Sequence, residues 1–374
     1  MKFELSKPPQ WDEYFLRKGE EAIQFWKKYL QSGDRNILFI LGEGFDPRMC
    51  ESLNILFNLG GTGSRDCVLI RVDEGEESTS KEYDEEISKN VTEFERIIPE
   101  EMRIQTRDIK MWSEDRRPIG STQAANIFDI TDLINYTDII VDVSALPKGI
   151  YFPVIGKLLT LIQDNQNSPN LHVIVMENSE LDSKIVDGAI DESASYMAKF
   201  TGGVDDASKS ETPKIWIPIL GDHQSAQLDK ILQLVLPNEI SPIFPTPSID
   251  PRRLEVLLEH YGKFLFESLR VDSRNFLFAS EQNPFEVYRS IRGVVRNYLQ
   301  TLEPLGKCRV IISPLSNKLS SIGALLAAYE LKDLGVGIAH VETRGYKMDV
   351  DTEQKNIGTN ELFTMWIAGD CYAN

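Results

Sequence analysis

Metal-binding and disulfide motifs are absent from this sequence of 374 residues. Its cysteines are widely separated and form no Cys-x-x-Cys pair, a pattern that indicates neither a zinc knuckle nor a disulfide scaffold. The histidines are equally scattered and include no His-Glu-x-x-His motif. We therefore predict reduced thiols and no metal centre. The residues concerned are Cys50, Cys67, Cys308, Cys371, His172, His223, His260 and His340.

Long apolar runs and an excess of positive charge are also missing. No apolar run approaches the roughly 20 residues that cross a bilayer, and the N-terminal segment lacks the apolar core of a secretory signal. The 58 acidic residues outnumber the 40 basic ones, which gives a formal charge of −18. Because nucleic-acid binding depends on Lys and Arg side chains that neutralise phosphates, this balance disfavours broad nucleic-acid binding. We expect a cytoplasmic protein with no membrane partner.

Short apolar runs alternate with helical segments along most of the chain. This alternation is typical of parallel βαβ units. The predicted fold class is α/β and Rossmann-like, with mostly parallel sheets flanked by helices and two βαβ regions. The last segment, Thr359–Gly369, is predicted to be a closing helix. The predicted strands are Asn36–Leu41, Cys67–Val72, Asp138–Val143, Leu171–Met176, Lys214–Leu220, Asn275–Ala279, Cys308–Ile312 and Val336–Val341.

A proline-rich segment separates the predicted elements into two groups. Residues 237–251 contain five prolines and no helical period, which is typical of a linker. We therefore predict an N-terminal Rossmann-like domain with a leading helix over 1–236, a linker over 237–251 and a C-terminal α/β domain over 252–374. Two domains also agree with a length that exceeds one typical core.

The loop after the first predicted strand, Gly42-Glu43-Gly44-Phe45-Asp46-Pro47-Arg48, is a candidate ligand site. Its Gly-x-Gly resembles the opening of a dinucleotide fingerprint, in which glycines let a pyrophosphate approach a helix N-terminus. Pro47 stands where the third glycine is expected, so the NAD fingerprint is incomplete and the cofactor stays unknown. We predict that Gly42, Gly44 and Arg48 contact a ligand, Arg48 through a bidentate contact with an anion. The alternative is a tight turn whose arginine pairs with an acidic side chain.

Two later strand–loop–helix segments resemble each other, each with a serine after the strand, a proline in the loop and a lysine before the helix. Open parallel sheets bind ligands beyond the carboxyl ends of their strands, and helix N-termini favour anions. We predict that these loops form an anion site, although helix capping explains the same residues without a ligand. Neither loop has the P-loop pattern. The candidate ligand-binding residues are Ser144, Lys148, Ser313, Ser316, Asn317 and Lys318.

No nucleophile–base pair can be recognised in the sequence. The weak candidates for a catalytic acid or base are carboxylates close to strand ends, namely Asp46, Asp142 and Glu342. Catalysis by a carboxylate would require burial or a neighbouring like charge that raises its pKa. Asp222-His223 is the one histidine-containing pair that could reach a site.

The Rossmann-like strands, the hydroxyl-rich loops with a lysine and the segment from Ser313 to Gly323 together resemble ligand-sensing domains of prokaryotic immunity, of the CARF and SAVED type. The resemblance covers residues 138–162 and 308–342. It implies a sensor of cyclic oligonucleotides in antiviral defence, often dimeric and sometimes with ring-nuclease activity. No nuclease, protease or membrane effector segment is recognisable, so a partner chain would supply any effector activity.

Three hypotheses remain open at this stage. The first is the binding or sensing of a phosphorylated small molecule, most specifically a nucleotide. The second is an enzyme that acts on a nucleotide or sugar-phosphate through strand-end carboxylates. The third is a non-catalytic subunit of a larger assembly or homo-oligomer, in which the acidic segment Asp73–Glu86 contacts a protein partner.

Overall fold

A computed structural model describes residues 8–165, 168–203, 212–305, 308–348 and 358–372. The chain forms two compact units, each built from two segments. The first unit comprises Glu13–Ala189 and Thr343–Asn374, and the second comprises Met1–Asp12 and Ile190–Glu342. Each unit has a mostly parallel sheet flanked by helices, which confirms the predicted α/β, Rossmann-like fold class.

The described strands and helices alternate along most of the chain. The strands are β1 (Phe15–Lys18), β2 (Ile37–Glu43), β3 (Arg65–Asp73), β4 (Arg103–Lys110), β5 (Asp138–Asp142), β6 (Asn170–Glu177), β7 (Ile185–Asp187), β8 (Ser195–Thr201), β9 (Lys214–Ile219), β10 (Glu239–Ile240), β11 (Ile243–Pro245), β12 (Leu277–Ala279), β13 (Arg309–Pro314), β14 (Val336–His340), β15 (Tyr346–Met348) and β16 (Glu361–Ala368). The α-helices are α1 (Gly19–Gln31), α2 (Glu51–Asn58), α3 (Asp84–Ile97), α4 (Gly120–Ala124), α5 (Lys148–Gln163), α6 (Ser179–Lys184), α7 (Ser225–Val235), α8 (Arg253–Gly262), α9 (Pro284–Thr301) and α10 (Lys318–Glu330).

The sheet of the first unit has the strand order β1-β16-β6-β5-β2-β3-β4. Strands β2 to β6 pair in parallel, whereas β16 is antiparallel to both of its neighbours. From β2 the chain proceeds to β3 and β4 on one side and then crosses to β5 and β6 on the other. The direction of winding therefore reverses between β2 and β5, which makes this pair the switch point of the sheet.

The sheet of the second unit has the order β12-β11-β9-β13-β14-β8, with β10 also paired to β9. Only β8 is antiparallel among the described strands of this sheet. The chain winds from β9 to β11 and β12 on one side, then crosses to β13 and β14, so its switch point lies between β9 and β13. The winding is the same as in the first unit, and the two similar segments noted in the sequence, β5–α5 and β13–α10, occupy equivalent places.

The closing helix predicted for Thr359–Gly369 is wrong, because Glu361–Ala368 is the strand β16 between β1 and β6. Its residues are apolar on both faces, so periodicity alone does not separate a buried strand from a buried helix. Backbone pairing with β6 decides the outcome, since an unpaired edge there would leave polar backbone groups buried. The predicted leading helix is confirmed over Gly19–Gln31 and is preceded by the short strand β1.

The two units also differ from the predicted domains. Residues 237–251, predicted as a linker, contain β10 and β11, and both strands pair with β9 in the second unit. Prolines are tolerated there because these strands are only two and three residues long and Pro245 ends β11. The units are therefore discontinuous in sequence, a property that a single composition-based boundary does not reveal.

Apolar helices follow the strands β5 and β13 and pack against both sheets. Helices α5 and α10 are buried over most of their length, as expected for helices that are apolar on all faces. In the part of the chain that the structure describes, no helix combines the length and apolarity that a membrane crossing requires.

Candidate functional site

The switch point of the first unit brings together the loops that follow β2 and β5. A Cβ atom added to Gly42 would lie 2.7 Å from Leu146 Cδ2 and 3.2 Å from the carbonyl oxygen of Ala145. A larger residue would require the Leu146 side chain to shift and the Ala145 carbonyl to move by a few tenths of an ångström, so glycine suits this approach best. Gly44 is less crowded, with the Ala145 oxygen 3.8 Å from the corresponding Cβ position. The Gly-x-Gly sequence therefore allows the loop after β2 to contact the loop after β5.

Arg48 is held within this edge by protein groups. Its Nε and Nη2 atoms donate to the two carboxylate oxygens of Asp46 at 2.9 and 2.7 Å. Nη1 donates to the carbonyl of Met176 at 3.1 Å, and Nη2 lies 2.8 Å from Asp182 Oδ1. Although burial opposes it, these carboxylates raise the pKa of Arg48 above its usual range. The side chain is 1% exposed, so the guanidinium that the sequence assigned to a ligand binds two aspartates.

Asp142 and Ser144 make contacts that join neighbouring elements. Asp142 accepts a hydrogen bond from the Ser52 hydroxyl on α2 and another from the Ser144 amide at 2.8 Å. The Ser144 hydroxyl oxygen accepts from the Met176 amide on β6 at 2.8 Å, and its side chain is fully buried. Lys148 is the half-buried first residue of α5. In this unit Gly42, Arg48 and Ser144 lie together, where they join the loops after β2, β5 and β6.

Carboxylates dominate the electrostatics of this edge. Asp46 and Asp182 pair with Arg48, and Glu51 at the start of α2 lies close enough to interact with Arg48, Asp46 and Asp142. Burial raises the pKa of Glu51, whereas the Asn360 amide and the Arg48 charge lower it. Such a charge distribution disfavours a phosphate ligand.

The switch point of the second unit is formed by the loops after β9 and β13. A Cβ atom on Gly221 would lie 2.2 Å from the Leu315 carbonyl oxygen and 2.8 Å from Ser316 Cα. The backbones of the two loops are therefore in direct contact, which again requires glycine. Ser316 is buried at this contact.

Ser313 and Asn317 have structural partners in the second unit. The Trp216 indole Nε1 donates to Ser313 Oγ at 3.0 Å, and Ser313 is fully buried. Asn317 caps α10, because its Oδ1 accepts from the Ser320 amide at 2.9 Å. Its Nδ2 donates to the Glu281 carbonyl at 3.1 Å. Lys318 follows as the half-buried first residue of α10.

A charged cluster that was not predicted lies at the same edge of this sheet. Arg253, at the start of α8, pairs with Asp222 after β9 and with Glu281 after β12, the latter through Nε at 3.3 Å. Ser248 donates a hydrogen bond to Glu281. Of this cluster, only Asp222 was singled out from the sequence, together with His223; Glu281, two residues beyond the predicted strand Asn275–Ala279, carried the same strand-end signal.

Glu342 belongs to a third group at this edge, two residues beyond β14. Its Oε1 lies 3.5 Å from His340 Nε2, and its carbonyl accepts from the Asp191 amide at 2.8 Å. Burial raises the pKa of Glu342; His340 opposes the rise and Asp191 adds to it. A raised pKa is one of the properties that a carboxyl group needs to act as a general acid.

The two Ser/Lys loops belong to different units, and each lies at the switch point of its own sheet. The prediction that they share one site remains a prediction. Within the described ranges, no group of three or more His, Cys, Asp or Glu side chains is placed to hold a metal ion.

Comparisons with known proteins give distant similarities. No protein-family model matches the sequence, and no curated protein matches it. One similar solved structure is a Type III CRISPR defence DNA nuclease activated by cyclic oligoadenylate, with a TM-score of 0.44 and 10% identity over 78% of this chain and 63% of that chain. Another is a functionally unknown protein from Pseudomonas aeruginosa, with a TM-score of 0.20 and 10% identity over 83% of this chain and 93% of that chain. The chain thus spans less than two thirds of the nuclease, and at these TM-scores neither similarity identifies an activity.

Proposed function

We propose that the second unit binds a phosphorylated small molecule, specifically a nucleotide, at the switch point between β9 and β13. The observation that carries this proposal is the junction of the two loops at Gly221 and Leu315, directly before the start of α10. Doubly wound sheets bind nucleotides in the crevice beyond such a junction, with the phosphate at the helix N-terminus.

The polar groups beside this crevice suit an anion better than those of the first unit. Lys318 is the first residue of α10, and the first amides of a helix have no acceptor within the helix. Arg253 pairs with Asp222 and Glu281, and the Asp222 side chain is 38% exposed, so a phosphate could replace that one carboxylate. In the first unit, by contrast, Arg48 lies buried between Asp46 and Asp182.

The role of a sensor in prokaryotic defence is part of the same proposal. It rests on the resemblance of the Ser313–Gly323 segment and its loop to ligand-sensing domains. The catalytic alternative would require Glu342, which is 5% exposed, to reach the ligand.

A thermal-shift experiment tests the proposal. The protein is heated with ATP, AMP, cyclic oligoadenylates or inorganic phosphate, and the melting temperature of each mixture is measured. A ligand at 100 times its Kd stabilises the folded state by about 2.7 kcal/mol. For a unit of this size that corresponds to a rise of roughly 5–10 °C. No rise with any nucleotide would refute the proposal.

A matched pair of variants locates the site. Lys318→Ala and Lys148→Ala each remove a lysine from the first position of the helix after the switch point, in the second and first units respectively. Loss of one charge-assisted contact is expected to weaken nucleotide binding about tenfold in Lys318→Ala. Lys148→Ala should bind as the wild type does. Equal affinities in the two variants would place the ligand elsewhere.

A further inference from the structure

The strongest unassigned feature is a serine–histidine pair in the second unit. The side chains of Ser225 and His260 are hydrogen-bonded, with 2.9 Å between Oγ and Nε2, and both residues are exposed. Ser225 is the first residue of the eleven-residue helix α7, and His260 lies in the last turn of α8. A hydroxyl within hydrogen-bonding distance of an imidazole is the arrangement that activates a serine nucleophile.

The turn that presents Ser225 is short, fixed and strained. The Tyr261 hydroxyl donates to the Gly221 carbonyl at 2.6 Å and accepts from the Gln224 amide at 3.1 Å, so it fixes both ends of the turn. His223, between them, has a φ of 57°, in the left-handed region that non-glycine residues rarely adopt. The turn therefore leads from a parallel strand into the helix that begins with Ser225, and its left-handed residue is His223, two residues before the serine.

The imidazole of His260 contacts the aromatic ring of its neighbour in the chain. The rings of His260 and Tyr261 meet edge to face, with 4.5 Å between their centroids. The segment after α8, Lys263–Ser268, is a π-helix, a rare conformation that occurs often at functional sites. His260 thus lies at the end of α8, directly before the chain changes from α-helix to π-helix.

We propose that Ser225 is a nucleophile and His260 its general base, in a site that cleaves carboxylic esters. Ser225 Oγ bonds to the carbonyl carbon while its proton passes to His260 Nε2. The bond between that carbon and the alcohol oxygen then breaks, and the alcohol leaves with the proton from Nε2. Water hydrolyses the acyl-serine by the same steps and releases the acid. The oxyanion of each intermediate faces the N-terminus of α7, where helix amides stabilise negative charge.

This site is separate in chemistry from the proposed nucleotide site. It uses Ser225 and His260, and it is tested with an uncharged reagent that has no phosphate anion to bind at Lys318. If the protein binds nucleotide but is not labelled at Ser225, only the proposed ester cleavage is overturned. If it is labelled at Ser225 but binds no nucleotide, only the proposed nucleotide binding is overturned.

Labelling with a fluorophosphonate ester tests the pair. The reagent forms a bond from Ser225 Oγ to phosphorus, the phosphorus–fluorine bond breaks, and hydrogen fluoride is released. Mass spectrometry of the full chain and its peptides is expected to find the adduct on Ser225, and Ser225→Ala should remove it. In His260→Gln the labelling rate should fall about 100-fold, because glutamine accepts a hydrogen bond but does not take the proton.

Ser183→Ala is the matched control, since Ser183 is an exposed helical serine whose hydroxyl donates to a backbone carbonyl, that of Glu180. This variant should label at Ser225 as the wild type does. Circular dichroism checks that each variant is folded. Labelling of Ser225 no faster than that of Ser183, or an unchanged rate in His260→Gln, would overturn the proposal.

Discussion

A buried carboxylate at the start of β5 should be among the most sensitive positions for stability in the first unit. Asp138 is fully buried and accepts hydrogen bonds from the Tyr29 hydroxyl at 2.6 Å and the Thr137 hydroxyl at 2.7 Å. His172 Nε2 lies 3.3 Å from the same carboxylate, and Arg35 Nη1 lies 3.7 Å from it. Burial alone would raise the pKa of Asp138, but hydrogen bonds from His172, Tyr29 and Thr137 hold it below its usual value.

The change Asp138→Asn keeps the shape of the side chain and removes its charge. Hydrogen bonds to a charged group contribute about 1.5–3 kcal/mol each. The two short bonds from Tyr29 and Thr137 therefore stabilise by roughly 3–6 kcal/mol, and asparagine retains one acceptor oxygen of two. We expect a loss of about 3 kcal/mol in the free energy of unfolding, close to the cost of breaking a buried ion pair.

Urea unfolding followed by circular dichroism measures the change, and hydrogen exchange of the β5 peptide assigns it to the first unit. Tyr29→Phe, which removes one donor, should cost about 1.5–2 kcal/mol. Tyr136→Phe is the matched control, because Tyr136 donates to a partly exposed carboxylate, Asp66, at 2.5 Å and should cost under about 1 kcal/mol. If Asp138→Asn cost no more than Tyr136→Phe, the assignment of Asp138 as a stabilising centre would be wrong.

Two further predictions concern glycine contacts and pH. Gly221→Ala should destabilise the second unit by more than 2 kcal/mol in urea unfolding, since its Cβ would lie 2.2 Å from the Leu315 oxygen. Gly293→Ala, in α9 with nothing within 4 Å of its Cβ position, should stabilise the same unit by about 0.5–1 kcal/mol. Burial lowers the pKa of His172 in the folded protein. In the unfolded chain the same imidazole binds a proton near pH 6.5, whereas in the folded protein it stays neutral at that pH. The first unit should therefore lose stability as the pH falls from about 7.5 to 5.5 in urea titrations.

The glycine and pH predictions each have a control variant and an outcome that would contradict them. Equal effects of Gly221→Ala and Gly293→Ala would show that the two loops do not touch as described. The loss of stability on acidification should be smaller in His172→Gln, which has no proton to gain. A first unit whose urea midpoint is unchanged over this pH range would contradict the burial of a neutral imidazole.

The sequence predicts the parallel cores of both sheets because their strands are short apolar runs. The runs containing Ile37–Glu43 and Arg309–Pro314 are buried on both faces, and this burial is what makes them continuous and recognisable. The strand β4, Arg103–Lys110, was missed because charged residues occupy half of its positions at the sheet edge. The strand β16 was misassigned because an apolar run of this length fits a buried helix as well.

The predicted site residues were recognised from their place at strand ends, but their contacts could not be read from the sequence. Nothing in the sequence near Arg48 shows that Asp182, far along the chain, approaches its guanidinium. Likewise, the pairing of Ser225 with His260 depends on how two separate helices lie in the second unit. Contacts of this kind arise from tertiary structure, whereas strand position follows from local apolar patterning.

The position of β16 has a consequence for synthesis on the ribosome. Strand β1 pairs with β16 alone among the described strands, and β16 also covers the edge of β6. Phe15 can therefore pair with Trp366, its register partner, only after translation has passed residue 366. The second unit, whose last strand ends at His340, can complete its sheet earlier. Nascent chains should thus protect the second unit against protease before the first unit, whose sheet is completed only by β16.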